Sequence, residues 1–318
     1  DSPALVNPTI NGIAQSGYTG FKNYIINGGF DVWQRGTSFV NYVNTQYTAD
    51  RWKNSGNLYT NVTKESGGVL KMVANQTVPD SHMQMLQGIE DLNYTKLLGK
   101  TITISALVKT NVNTVNLYLH SNETGSIFSS THSGNGELER LTFTTTLPSS
   151  LSHLNIYAST YNGVTRDMTI GEYIEVSEFQ LELGSVATPF EQRPYGLELS
   201  LCQRYFEVLD FNEGEDAVAI PGFFRNDNLV YASYALKVEK RVRPSVSVLH
   251  ANDLCVRMGM ADASSDGNPI IIVSKIILSI GVVGVYSGRA GQGCQINFHP
   301  ATSTGDDIGA LFLIDAEL

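Results

Sequence analysis

The sequence predicts an all-β protein, with two β blocks joined by a single helix. Three observations carry that prediction. Only 16% of the 318 residues are charged while 29 are glycine and 42% are hydrophobic, against a usual charged share of about 25%. That balance argues against a helical bundle, a coiled coil or a charged disordered tail. Alternation with period two recurs through the first two thirds of the chain, as expected of half-buried strands. One stretch only, YGLELSLCQRYFEVL (195–209), carries a helical stripe.

The elements follow in order. Residues 1–23 are polar and turn-rich and read as a lead-in segment. In block 24–193, Ile102, Ile104, Ala106 and Val108 alternate with Thr101, Thr103 and Ser105. Val115, Leu117 and Leu119 alternate with Asn116, Tyr118 and His120, and Leu154, Ile156 and Ala158 with Asn155, Tyr157 and Ser159. Leu141, Phe143 and Thr145 alternate with Thr142 and Thr144. Each strand has one apolar and one polar face, the pattern of antiparallel sheets packed on one side. Turns such as SGNGE (133–137) and YNG (161–163) make a sandwich the expected architecture. Between 172 and 183 the phase slips, since Ile174 and Val176 are out of step with Phe179, Leu181 and Leu183. One extra residue near Ser177 and Glu178 restores the packing, so a β-bulge is predicted there.

Pro194 closes this block, and residues 194–210 read as a linker helix. Leu197, Leu201, Tyr205 and Leu209 recur every four residues, widened by Cys202 and Phe206. Block 211–318 is again β. Its run IIIVSKIILSIGVVGVY (270–286) is interrupted by Lys275, Gly281 and Gly284. It falls short of the roughly 20 clean apolar residues a membrane span requires. It reads as one or two deeply buried strands needing cover on both sides. A small domain struggles to provide that alone, so subunits sharing a core are expected.

Charge and cysteine content narrow the function classes. Lys and Arg number 21 and Asp and Glu 31, a net charge of −10. An acidic chain is a poor general partner for nucleic acid and for anionic membranes. It points to a neutral or weakly charged ligand rather than a strongly anionic one. Cys202, Cys255 and Cys294 are odd in number, far apart and without zinc spacing. They read as free thiols of a protein folding in a reducing compartment. The chain opens at Asp1 without a basic-then-apolar signal segment, which reads as a fragment or processed product.

No catalytic constellation emerges. GxSxG, HExxH and GxxxxGK[ST] patterns are absent from the sequence. The histidines at 82, 120, 132, 153, 250 and 299 form no ligand-spaced pair. Glu172, Glu175, Glu178 and Glu182 offer carboxylates for glycoside hydrolysis, but along one strand with mixed facing. The polar faces say more. Asn116, Tyr118 and His120 share one, Asn155, Tyr157 and Ser159 another, and Tyr161 follows at a strand end. If these strands are neighbours, rings and amides meet in one patch. Sugars need that combination, because their CH faces stack on aromatics and their hydroxyls bond to amides. The predicted carbohydrate-binding set is Asn116, Tyr118, His120, Asn155, Tyr157 and Tyr161.

Three stretches carry a resemblance. They are NYIINGGFDVWQRGTSF (23–39) with YTADRWK (47–53), FQLELGSVATPFEQRPYGLELSLCQRYF (179–206), and KVEKRVRPSVSV (237–248) with the terminal FLIDAEL (312–318). Together they resemble the distal part of bacteriophage tail fibres and related receptor-binding tail proteins. The region bracketed by the first two is similar to jelly-roll carbohydrate-binding modules. The resemblance implies a jelly-roll domain over 24–193 and a C-terminal trimerisation or receptor-binding domain over 211–318. It implies a fibre tip on the virion tail that binds a bacterial surface glycan, lipopolysaccharide or capsule, as a homotrimer attached to upstream tail proteins. No enzymatic activity is expected, with a tail-associated polysaccharide depolymerase as the alternative and a purely structural spacer as a third reading. No cofactor is required, although the resemblance implies a structural calcium on Asp31, with backbone at Gly28 or Gly29, and Glu178. Phe30, Trp33, Trp52, Arg35, Asp50 and Arg51 read as scaffold.

Overall fold

The computed structural model describes residues 21–42 and 45–210 continuously. Beyond them it describes segments at 9–10, 13–14, 222–226, 229–234, 236–242, 244–248, 256–257, 272–273, 281–282, 294–298 and 311–317. The chain divides into two compact units, Asp1–Glu198 and Leu199–Leu318.

The first unit is an antiparallel jelly-roll sandwich. Its strands in chain order are β1 (Ser38–Tyr42), β2 (Lys53–Gly56), β3 (Thr60–Glu65), β4 (Val69–Ala74), β5 (Val78–Ser81) and β6 (Met83–Ile89). After a short helix, α1 (Asp91–Tyr94), come β7 (Thr101–Thr110), β8 (Asn116–Ser121), β9 (Gly125–Phe128), β10 (Leu138–Thr146), β11 (Leu154–Ser159), β12 (Arg166–Met168) and β13 (Tyr173–Leu183). One sheet has the order β9-β8-β11-β6-β2 and the other β10-β7-β13-β4-β3-β1, while β12 and β5 form a small side ladder. Apolar side chains from both large sheets make one core, among them Leu117, Ile156 and Met85 from the first and Ile104, Met72 and Phe179 from the second.

The alternation read from the sequence is what builds this core. Ile102, Ile104, Ala106 and Val108 are fully buried, while the opposite side of β7 carries hydroxyls. Thr101 and Thr103 pair with Thr146 and Thr144 at 3.1 and 2.9 Å. On the same outer face Glu175 takes Lys71 at 2.9 Å and Lys109 at 3.8 Å.

The expected bulge is present. Ser177 pairs with Leu107 and Gln180 with Ser105, so Glu178 and Phe179 together oppose one residue. Glu178 takes a positive φ of 50°. The slip turns Phe179 into the core beside Trp52, ring centroids 5.0 Å apart. It also frees the Phe179 peptide for the incoming chain: its N–H donates to Gly28 O at 2.8 Å and its carbonyl accepts Asn23 Nδ2 at 3.0 Å. Gly28 is required at this approach, since a Cβ there would lie 2.1 Å from Phe179 O.

The 23–39 segment is therefore a structural knot. Asn27, at φ 56°, donates from Nδ2 to Val32 O and Asp50 O and accepts Val32 N on Oδ1, all at 2.8–3.0 Å. Trp52 Nε1 donates to Asn27 O at 2.9 Å. The 179–206 stretch closes over it. Glu191 accepts the Lys22 and Asn23 amides at 3.0 Å each. Arg193 donates to Ile25 O at 3.1 Å and to both oxygens of Glu198 at 3.2 Å. Glu198 also accepts the Asn27 amide. Lys22 and Asn23, at the end of the expected lead-in segment, thus have their amides bound by the last segment of the sandwich.

The helix is shorter than expected. It spans α2 (Tyr195–Gln203), and Leu197 and Leu201 on its predicted stripe are only half-buried. Residues Phe206–Asp210 form a strand, β14. The reason is a better partner, because the terminal strand pairs with β14 from Phe206↔Asp315 to Asp210↔Leu311.

In the second unit, Gly222–Asn226, Leu229–Tyr234, Ser245–Val248, Cys294–Phe298 and Leu311–Asp315 are strands β15 to β19. β14 and β17 flank β19, and β15, β16 and β18 form a second sheet with Gly281–Val282 at its edge. The 237–248 and terminal stretches meet in a charged clasp. Lys240 donates to Glu207 at 2.6 Å, both side chains fully buried, and Arg241 donates to Ala316 O and Glu317 O at 3.1 and 2.9 Å. Cys202 is buried and forms no disulfide. The side chains of the Ile-rich run, and with them its expected two-sided cover, lie outside the described residues. Among the described residues no helix is long and apolar enough to cross a membrane.

Candidate functional site

The outer face of the five-stranded sheet is where the predicted rings and amides meet. Directly paired residues in a sheet project from the same side. The register sets up a first row across the strands, Phe128–Tyr118–Tyr157–Leu86–Lys53, which an isolated bridge extends to Tyr47. A second row reads Ser126–His120–Asn155–Gly88 and a third Asn116–Ser159–Gln84–Ser55.

One end of this face is an aromatic cluster. The rings of Tyr118 and Tyr157 stack at 4.2 Å with 4° between planes. Phe128 lies 5.1 Å from Tyr118, Tyr161 meets Tyr118 edge-on at 6.3 Å, and His82 lies 5.6 Å from Tyr161. Tyr118 donates its hydroxyl to Gln84 Oε1 at 2.8 Å, and Gln84 Nε2 donates to Ser55 at 3.0 Å. Burial pushes the Tyr118 phenol far above its usual range, with Tyr157 and Tyr161 beside it adding to the effect. Burial raises Tyr157 as well and lowers His82.

The six predicted sugar contacts separate into two groups. Asn116 is fully buried and positions Tyr161, donating to its carbonyl at 2.8 Å. Tyr118 and Tyr157 are only 5% and 9% exposed, so they support the cluster rather than offer open ring faces. These three are corrected from surface contacts to scaffold, because Phe128 and the 160–163 turn cover this end of the face. His120, Asn155 and Tyr161 are half-buried and reachable. Phe128, Leu86, Gly88 and Lys53 are half-buried on the same face and were missed. The hairpin LYLHSNETGSIF (117–128) carried a signal for Phe128, since its tight turn places Phe128 opposite Tyr118. His153 was missed as a neighbour of His120, the rings being 5.7 Å apart.

The remaining polar candidates are engaged in the scaffold. Asp50 is buried, accepts the Gln34 amide at 2.9 Å and faces Arg35 at 3.8 Å. Arg51 donates to Gly88 O at 2.7 Å. Of the four glutamates expected along one strand, Glu172 lies just before β13 and pairs with Arg166 at 2.6 Å, Glu175 pairs with two lysines and Glu178 with Arg140. Glu182 accepts the Thr188 amide at 2.8 Å.

The calcium expectation does not fit these residues. The bulge aims Glu178 at Arg140, and Asp31 Oδ2 accepts Gln192 Nε2 at 3.1 Å. Among the described residues no group of three or more His, Cys, Asp or Glu side chains is placed to hold a metal ion.

The fold and face together define a jelly-roll sandwich with a partly buried aromatic and amide-bearing sheet face. No protein-family model matches the sequence, and no curated protein matches it. Among solved structures, a CBM4 structure is similar at 17% identity over 50% of this chain and 98% of that one, with a TM-score of 0.32. TmCBM61 in complex with β-1,4-galactotriose is similar at 13% identity over 52% of this chain and 100% of that one, TM-score 0.33. The enzymatically active domain of bacteriophage CBA120 tailspike protein 4 is similar at 11% identity over 51% of this chain and 21% of that one, TM-score 0.30. Scores this low carry no argument, and the fold stands on the chain's own sheet order and register.

Proposed function

We propose that the chain is a receptor-binding tail-fibre tip that attaches a bacteriophage to a bacterial surface glycan without enzymatic activity. The sandwich takes the sugar on the outer face of its five-stranded sheet. One observation supports this most: a wall of rings, Tyr161 and Phe128 backed by the Tyr118–Tyr157 stack, stands beside a half-buried floor of Leu86, Gly88, Asn155 and His120. A pyranose has a CH face for the wall and hydroxyls for the amide and imidazole groups. Single contacts of this kind are weak, so a homotrimer presenting three copies gains avidity.

The test is decoration of whole host cells by labelled full chain, followed by binding to purified surface polysaccharides. Tyr161→Ala and Asn155→Ala are expected to weaken binding at least about tenfold, in line with the cost of one lost stacking or hydrogen-bonding group. Failure to decorate any strain sinks the reading. A light-scattering mass equal to the monomer sinks the trimer, and release of oligosaccharide from the bound polysaccharide replaces the binding role with the depolymerase one.

A further inference from the structure

We propose that Asn162 is a self-modifying site, where the Gly163 main-chain nitrogen displaces the side-chain amide and water then leaves aspartate and isoaspartate beside Tyr161. The sequence holds four Asn-Gly pairs, at 11–12, 27–28, 135–136 and 162–163, and the first lies outside the described residues. Glycine puts no side chain in the way of its own nitrogen and lets the backbone turn widely. What separates the other three pairs is whether the reacting groups are tied. Asn27 is fully buried, with Nδ2 on two carbonyls and Oδ1 on the Val32 amide. Asn135 Oδ1 accepts the Glu137 amide at 2.8 Å, and the Gly136 N–H donates to Thr110 O at 3.0 Å. Asn162 and Gly163 are both exposed, and among the described residues no hydrogen bond holds the Asn162 side chain or the Gly163 N–H. Gly163 takes φ 104° with nothing within 4 Å of an added Cβ, so the approach is open.

The chemistry balances with water alone. The Gly163 nitrogen gives its proton to solvent base and bonds to Asn162 Cγ. The Cγ–Nδ2 bond breaks, and Nδ2 takes a proton from solvent and leaves as ammonia. Water then opens the cyclic imide. Attack at Cγ gives aspartate, and attack at the main-chain carbonyl carbon gives isoaspartate, whose backbone runs through the side chain. Either product adds a carboxylate, and isoaspartate also lengthens the main chain by one carbon. That carbon falls between two fixed points. Before it, the Tyr161 N–H donates to Ser159 Oγ at 2.8 Å and the Tyr161 carbonyl accepts Asn116 Nδ2 at 2.8 Å. After it, the Thr165 hydroxyl donates to Asp80. Residues 162–164 between them are exposed, so the extra length is taken up next to Tyr161. Resting on the glycan reading, conversion weakens sugar binding by shifting the Tyr161 ring.

The experiment ages the full chain in mildly alkaline buffer below its melting temperature. Each Asn-Gly peptide is followed by mass spectrometry, with methyltransferase labelling of isoaspartate. Asn162 is expected to convert at least about tenfold faster than Asn135, the effect of the two hydrogen bonds that the Asn135–Gly136 pair must give up. Asn27 is expected to stay intact. In denaturant the three pairs are expected to convert at comparable rates, which shows that the fold and not the flanking sequence sets the order. Higher pH speeds the step, since the attacking nitrogen must lose its proton, and Asn162→Gln abolishes it. Equal conversion of Asn162 and Asn135 in the folded chain, or the same lead of Asn162 in denaturant, overturns the proposal. Gels containing host polysaccharide read the consequence. The parent chain is expected to lose retention in step with conversion, while aged Asn162→Gln matches fresh Asn162→Gln. Equal losses in both chains, or unchanged retention of a converted parent, overturn the link to sugar binding and leave the modification standing. If even the fresh chain is retained by no polysaccharide, that link falls with the glycan reading, and the mass change at Asn162 still decides the modification.

Discussion

Tyr118 and Tyr157 occupy directly paired positions on neighbouring strands and stack at 4.2 Å, nearly parallel. The pair does two jobs at once. It anchors the aromatic end of the sheet face, and it holds two phenols in a place where ionisation is disfavoured.

The first prediction follows from that pair. Tyr157→Ala is expected to cost about 3 kcal/mol by chemical denaturation, the usual loss for a large buried ring. Tyr118→Phe, which removes only the bond to Gln84, is expected to cost about 1 kcal/mol. Both phenols hold folded pKa values above the unfolded value of about 10. The protonated form is the one that folding favours, so the stability they contribute is complete below about pH 10 and is lost as pH climbs beyond it. Ultraviolet titration should show at least two of the 15 tyrosines ionising only on alkaline unfolding. Replacing both by Phe should flatten the alkaline decline in stability.

A second prediction concerns the docking of the first motif on the bulge. Gly28→Ala places a methyl 2.1 Å from Phe179 O, a backbone atom that cannot rotate away. The N-terminal segment must then lift off the bulge and loosen Asn23 and Asn27 together. A loss of about 3 kcal/mol is expected, at the upper end for an overpacked site. Gly36→Ala is the contrast, since nothing lies within 4 Å of its added methyl. Its cost comes from the backbone alone, φ being 109° there. Equal thermal unfolding of Gly28→Ala and the parent chain would show that this contact does not hold the motif down.

These residues also show what the sequence revealed and what it hid. Strands β7, β8, β10, β11 and β13 were legible because each has one apolar and one polar face. β6 was not, since polar Gln87 is buried in line with Met83 and Met85 and Gln84 on the other side is buried as well. β2, KNSG, directs a polar residue inward, Asn54, which bonds Tyr42 O and Thr60 Oγ1. Alternation told correctly which side Tyr118 and Tyr157 share, but alternation cannot say whether that side is open. Their cover comes from Phe128 and Tyr161, which lie in a hairpin and a turn. The helix was overrun for a related reason. Residues 205–209 suit a helical stripe, and only the distant terminal strand decides that they pair instead.

The third prediction is a pH effect at His82. Its ring is partly buried beside Tyr161, and its Nδ1 has no hydrogen-bond partner among the described residues. Burial lowers its pKa below the usual value of about 6.5. The neutral form is favoured by folding, so its stabilisation is present above about pH 6.5. It is lost as pH falls from there toward the lower folded value. Denaturation midpoints measured from pH 7 to pH 5 should fall less steeply in His82→Gln than in the parent chain. Parallel slopes would mean that the ring is free to protonate in place.

The last prediction separates the ion pair beneath the first motif from ordinary surface pairs. Arg193 and Glu198 are five residues apart, with side chains 4% and 8% exposed. Between them they bond the Ile25 carbonyl and the Asn27 amide. Glu198→Ala removes the nearer carboxylate from a buried guanidinium, leaving it only Glu191 at 3.6 Å, and removes the acceptor of the Asn27 amide. Losing one partner of such a pair typically costs about 3–5 kcal/mol. Removing a partner of an exposed pair costs about 1 kcal/mol or less, as expected for Arg140→Ala, whose side chain and that of Glu178 are both over a third exposed. The double substitution Arg193→Met with Glu198→Leu tests why the pair is costly to break. If the penalty comes from the stranded charge, the double variant is expected to recover part of the loss seen in Glu198→Ala. If the bonds to Ile25 and Asn27 dominate, the double variant will be at least as unstable as the single one.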